Sequence, residues 1–212
     1  MNAPTGSMMS SAFSFGALLL GAGQSRRMGR PKLLLPWRGA SVLGHLVAQW
    51  QGAGAGQTAI VCAAGDRAIE LELDRLAFPA AHRIFNPAPE RGMFSSIQCA
   101  AQWPAWQKAL THFAIVLGDQ PHLRQTTLQA LVRFTAAHPA QICQPSRAGR
   151  LRHPVFLPRA AFLDLAQSRA GHLKEFLASF HIALCELDDP GLDLDLDAPA
   201  DYEKALALDM KA

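Results

Sequence analysis

The densest chemistry in this chain lies between Gly21 and Lys32, which reads Gly-Ala-Gly-Gln-Ser-Arg-Arg-Met-Gly-Arg-Pro-Lys. Arg26, Arg27, Arg30 and Lys32 place four positive charges within seven residues, and no acid precedes Asp66. Gly21 and Gly23 allow close approach of a ligand to the main chain and tolerate positive φ. Successive backbone N–H groups in such a turn form a concave nest for oxyanions. Arginine adds planar, bidentate phosphate contacts and lysine a mobile point charge. This is the chemistry of a polyphosphate cradle.

Carboxylates gather elsewhere. Asp119, in Gly118-Asp119-Gln120-Pro121, follows the apolar run Phe113 to Leu117. From Glu175 to Asp201 there is no Lys or Arg, yet this stretch holds eight of the chain's 17 acids. Within it Asp193, Asp195 and Asp197 alternate with leucines, so in an extended chain they share one face. Hard oxygen donors of this kind suit Mg²⁺, which keeps one or two protein carboxylates beside phosphate oxygens and water. Each group also has an ordinary reading: Asp119 as a turn or cap residue, the acid-rich stretch as a solvated loop, and one of its aspartates as a helix cap.

Apolar runs alternate with amphipathic segments along the chain and must position these groups. Phe13 to Leu20 has the length of a buried strand directly before the basic loop. Leu43, Leu46, Val47 and Trp50 keep helical spacing, and Gly52, Gly54 and Gly56 end that helix. Strands are predicted at Thr58 to Cys62, Arg83 to Phe85, Phe113 to Leu117, Ile142-Cys143, Val155 to Leu157 and Ile182 to Leu187. Helices are predicted at Arg67 to Leu76, Met93 to Ala101, after a cap at Thr126 or Thr127, near Arg159 to Gln167, at His172 to Phe180, and from Pro199 to about Leu208. The alternation predicts an α/β fold, a single doubly wound domain over 13–208 with a mostly parallel sheet, preceded by a flexible tail at 1–12. In such sheets ligands sit beyond the carboxyl ends of strands, where both the basic loop and Asp119 fall.

Composition narrows the classes. At 212 residues and 50% hydrophobic content the chain can bury a full core. Four widely spaced cysteines without a C-x-x-C pair read as free thiols in a reducing cytoplasm. The first apolar run lacks the basic flank of a signal and is too short to span a bilayer. Few aromatics accompany the arginines, which argues against nucleic acid. His112, His122, His138 and His181 lack zinc-ligand spacing. The third glycine of a dinucleotide fingerprint would fall at Arg26, and no Walker A motif occurs, so the loop is neither.

The segment Leu20 to Pro36 resembles the signature of the MobA-like NTP transferases and is most similar to their molybdenum cofactor cytidylyltransferase (MocA-like) branch. Asn86 to Ile97, Leu117 to Pro121, His153-Pro154-Val155-Phe156 and Asp195 to Tyr202 match further family segments in order. The resemblance implies a nucleotidyltransferase that uses Mg²⁺ to move a nucleoside monophosphate from CTP, or from GTP, onto the phosphate of molybdopterin or the molybdenum cofactor, releasing pyrophosphate. It implies Arg27 and Lys32 as catalytic residues, Gly21, Ala22, Gly23 and Ser96 as nucleotide contacts, and Asp119 and Asp197 as metal ligands, with Asp195 as the alternative. His153 is a candidate acceptor contact. The same resemblance implies a molybdenum hydroxylase or its maturation chaperone as protein partner. Guanylyl-transferring relatives typically carry Asp before the lysine, whereas Pro31 stands here, which leans towards CTP. Gln167 to Leu173 departs from the branch's usual Gly-Asp-x-Gly-Ala-Arg, which leaves the acceptor open. A non-catalytic carrier of the cofactor is the reading from a different class.

Overall fold

Strand β1 (Phe15–Leu20) contains no polar side chain, and five of its six residues are buried, so it can only be an interior strand. The computed structural model describes residues 13–23 and 25–209; the tail expected at 1–12 lies outside the described residues. After β1 come β2 (Pro36–Trp37), β3 (Ala40–Ser41), α1 (Val42–Gly52), β4 (Gln57–Ala63), α2 (Arg67–Arg75), β5 (Arg83–Asn86) and α3 (Met93–Gln102). The second half runs β6 (His112–Leu117), α4 (Gln125–Ala137), β7 (Ile142–Arg147), β8 (Arg150–Leu151), β9 (Val155–Pro158), α5 (Arg159–Asp164), α6 (Leu173–Leu177), β10 (Ile182–Glu186) and α7 (Pro199–Asp209).

The main sheet has the order β10-β7-β9-β6-β1-β4-β5, with β8 paired to β7; β2 and β3 form a separate two-stranded ribbon. β1 lies parallel between β4 and β6. β9 is antiparallel to both β6 and β7, so the sheet is mixed, though mostly parallel. Side chains alternate across it. Leu19 faces a layer containing Trp50, Leu73, Leu128 and Tyr202, from α1, α2, α4 and α7. Leu18 faces the other layer, with Ile97, Phe162 and Leu177 from α3, α5 and α6. Trp106 belongs to this second core, edge-on to Phe113 and Phe162, in keeping with a packing role. Among the described residues no helix is long and apolar enough to cross a membrane. The four cysteines are free thiols.

Three local expectations change. α4 starts at Gln125 after Arg124 and has no side-chain cap; the Thr127 hydroxyl instead donates to Asp189 Oδ2 at 2.7 Å. Ile142-Cys143 extends to a six-residue strand, because the basic turn after it folds into the β7–β8 hairpin. The aspartates do not line one extended face. Asp189 caps a 3-10 turn over Pro190–Asp193, which turns Asp193 away before the chain straightens.

Candidate active site

The parallel strands deliver their carboxyl ends to one edge of the sheet, and the loops there build a cleft of about 480 Å³. Its lining includes Gly21, Ala22, Gly23, Lys32, Ser96 and Asp119, together with two residues given no role by sequence reasoning, Ser25 and Glu90. Arg27 and Asp197 stand outside that lining but join it through ion pairs.

The basic loop is held from within. Ser25 adopts φ 48, in the left-handed region. Its carbonyl accepts from the Met28 amide and its hydroxyl accepts from the Lys32 amide at 3.1 Å. Pro31 keeps the extended approach expected of it, and a 3-10 turn then buries Leu33 and aims Lys32 into the cleft. Gly21 is needed for packing as well as for any ligand. Its amide donates to the Val61 carbonyl at 2.8 Å, and a Cβ there would lie 3.0 Å from Ile60. Among the described residues, the N–H groups of Ala22 and Gly23 take no backbone partner of this kind.

At the end of β6, a Cβ on Gly118 would approach the Leu20 carbonyl oxygen to 2.6 Å. Only glycine lets β1 and β6 end side by side, and that closeness sets Asp119 beside Lys32. Lys32 Nζ lies 2.6 Å from Asp119 Oδ2 and 3.8 Å from Asp197 Oδ1. Arg27 donates to Asp197 Oδ2 at 2.7 Å. The fold thus brings together four residues up to 170 positions apart in sequence. Lys32 and Asp119 are only 17% exposed, whereas Arg27 is 75% exposed, so the first pair is the better insulated from solvent.

Asp197 arrives by a short zipper: the Leu196 amide donates to the Asp119 carbonyl at 3.0 Å, and the Leu196 side chain is fully buried. Asp195 turns to Gln120, whose Nε2 donates to it at 2.9 Å. Loss of solvent around its carboxyl group, followed by the charges of Asp119 and Asp197, pushes its pKa up. Most of the other acids in the stretch serve structure. Asp193 pairs with Arg147 and Arg152, tying down the β7–β8 hairpin. Asp189 receives the Arg124 amide and the Thr127 hydroxyl, and Glu186 receives Ser146.

The carboxylates fit a divalent cation. Asp119 Oδ1 is buried and has no hydrogen-bond partner among the described residues. No group of three or more His, Cys, Asp or Glu residues suited to a metal occurs among the described residues. A two-carboxylate site of oxygen donors matches an ion otherwise held by phosphate and water.

Ser96 is 3% exposed; its hydroxyl accepts from Asn86 Nδ2 at 3.0 Å, which leaves its own proton to donate into the cleft. Asn86 also donates to Ser95 at 2.8 Å and accepts from the Ala88 amide at 2.9 Å. This clamp fixes the turn carrying Glu90 and Gly92, the latter at φ 90.

A second cavity, of about 820 Å³, shares Met93 with the first. Its walls combine apolar side chains such as Leu173 and Leu177 with Arg150, Arg152, Lys174 and His153, and among the described residues no acid lines it. Because β9 runs antiparallel, its beginning lies at the edge where its neighbours end, which brings His153 towards Asp119. Burial lowers the His153 pKa against the opposing pull of Asp119. Its Nδ1 is buried without a hydrogen-bond partner among the described residues.

The model of the MobA-like NTP transferase domain matches residues 17–184. The chain belongs to this family. As a MobA-like protein it is a nucleotidyltransferase. No curated protein matches the chain. Among solved structures it is similar to Rv0371c from Mycobacterium tuberculosis H37Rv, with TM-score 0.72 and 24% identity over 92% of this chain and 98% of that one. Rv0371c in complex with manganese is similar too, with TM-score 0.65 and 23% identity over 92% and 98%. Molybdopterin-guanine dinucleotide biosynthesis protein A from Archaeoglobus fulgidus aligns with TM-score 0.66 and 14% identity over 93% and 100%. At these identities the structures speak for the MobA-like fold alone.

Proposed function

We propose that this protein transfers CMP from CTP to the phosphate of molybdopterin or the molybdenum cofactor, with Mg²⁺ as metal cofactor. The observation that carries this reading is the meeting of Lys32, Arg27, Asp119 and Asp197 beside a glycine-bearing loop, with a cation-lined second cavity adjoining. Ala22 and Gly23 would receive the triphosphate by their N–H groups, with Gly21 shaping the wall behind them. Ser96 would donate to the base or sugar. Arg150, Lys174 and His153 would orient an anionic acceptor whose ring system rests on the apolar wall. Asp119, with Asp197, would hold Mg²⁺, which when bound neutralises phosphate charge.

An acceptor phosphate oxygen attacks the α-phosphorus, forming one P–O bond as the bond to pyrophosphate breaks. Lys32 and Arg27 stabilise the charge that grows on the departing pyrophosphate. Positioning and electrostatics suffice for such a step, so no protein nucleophile is required. The choice of CTP is supported by the Pro31-Lys32 pair and by the likeness of the loop to the cytidylyl branch. A molybdenum hydroxylase, or the chaperone that matures one, would receive the product. Pyrophosphate release with CTP or GTP, molybdopterin and Mg²⁺ tests the reading, and CTP should be preferred. Preference for GTP would move the protein to the guanylyl branch. Nucleotide binding without turnover, with any acceptor offered, would make it a carrier.

A further inference from the structure

Of the four carboxylate oxygens of Asp119 and Asp197, three face a protein cation, and Asp119 Oδ1 is buried without a hydrogen-bond partner among the described residues. The ammonium of Lys32 lies against Asp119 and reaches towards Asp197, and the guanidinium of Arg27 holds the other oxygen of Asp197. A divalent ion taking Asp119 Oδ1 would share that carboxylate with the Lys32 ammonium on Oδ2, and the two cations repel at such a distance in a pocket where water screens weakly. A free ion would have to expel Lys32 from its pair with Asp119 and leave an ammonium without a counter-charge. A triphosphate changes that balance, because its oxygens give Lys32 and Arg27 new anionic partners. The four-carbon stem of lysine lets the ammonium swing from carboxylate to phosphate while its backbone stays in the 3-10 turn.

We propose that the Asp119–Asp197 pair takes its metal only as a metal–triphosphate complex, and that Lys32 excludes the free ion. This rests on the nucleotidyltransferase reading of the two carboxylates. Lys32 then has two opposite effects. It favours the triphosphate and disfavours the bare ion, so metal and nucleotide each strengthen the binding of the other by one common factor.

The test is Mn²⁺ binding to the full-length protein, read from the electron paramagnetic resonance signal of unbound Mn²⁺ without nucleotide. Wild type should bind weakly, and Lys32→Met should bind about tenfold more tightly, within the usual range of such couplings. Lys32→Arg, which restores a cation, should return to the wild-type affinity and also guards against a fold defect in the methionine variant. Equal or weaker binding by Lys32→Met in a protein that still melts in one cooperative transition above the assay temperature overturns the proposal. The double variant Lys32→Met/Asp119→Asn separates the two levels. Loss of the gain places the ion on Asp119, whereas a gain that survives puts it elsewhere and removes the metal reading of the carboxylates as well.

Discussion

Lys32 and Arg27 carry like charges into one site but sit in different surroundings. Replacing either with alanine should lower turnover about 10²-fold, the scale of losing a preorganised charge contact. Their effects on folding should differ. Arg27 makes an exposed pair whose loss costs little. Removing Lys32 leaves Asp119 part-buried without its cation, so the melting temperature of Lys32→Ala should drop while that of Arg27→Ala stays near wild type. Scanning calorimetry beside steady-state kinetics reads both quantities, and equal melting temperatures would refute the difference in burial. A second residue-scale expectation concerns pH. Burial lowers the pKa of His45, His112 and His122 below the usual 6.5. Below that pH the unfolded chain binds more protons than the folded one, so stability is lost as pH falls from about 6.5. His122 Nε2 donates to the Gly191 carbonyl at 3.0 Å. His122→Gln keeps a donor there without titrating, and should flatten the decline in melting temperature between about pH 7 and pH 5. An unchanged slope would assign the decline to other groups.

At the scale of elements, the turn after β5 and the hairpin after β7 each serve one cavity. Asn86→Ala removes three hydrogen bonds from a buried clamp and should cost about 2 kcal/mol of stability. The KM for the nucleotide should rise, since Ser96 loses its hydrogen-bond donor and Glu90 its fixed turn; an unchanged KM would show that the turn holds itself. Arg152→Ala cuts one of the hairpin's two ties to Asp193, leaving that of Arg147, and removes a cation from the second cavity. It should raise the KM for the acceptor and leave that for the nucleotide unchanged, and initial-rate kinetics with each substrate varied in turn decides this. These elements also show where sequence reasoning reaches and where it stops. The placement of the basic loop and Asp119 at one edge of the sheet was legible because each directly follows an apolar run that forms a strand. The partnership of Gln120 with Asp195 was not, because it spans 75 positions. Nor was the left-handed Ser25, since serine gives no signal for positive φ as glycine does. The acid-rich stretch read as one unit, yet two of its aspartates meet at the site while Asp189, Asp193 and Glu186 secure helix α4 and the hairpin.

For the whole molecule, alternation of apolar runs and helices foretold the α/β architecture and most elements, because burial on both faces of a parallel sheet leaves little else for those runs to do. The direction of β9 was hidden, since a four-residue apolar run reads the same either way in a sheet. The thiols spread across this sheet carry a further consequence. Cys62 lies on β4 with its thiol pKa raised to about 12 by burial and then by Asp66. Cys143 lies on β7, Cys185 on the outermost strand β10, and Cys99 half-buried on α3. Thiolate is the reactive form, so the three buried cysteines can be alkylated at an appreciable rate only when their strands open, whereas half-buried Cys99 needs less. The four act as clocks set at different depths. Alkylation followed peptide by peptide in a mass spectrometer should mark Cys99 first, then Cys185, then Cys143, and Cys62 last, as the sheet frays from its β10 edge. Simultaneous labelling of all four would instead show a molecule that opens only as one.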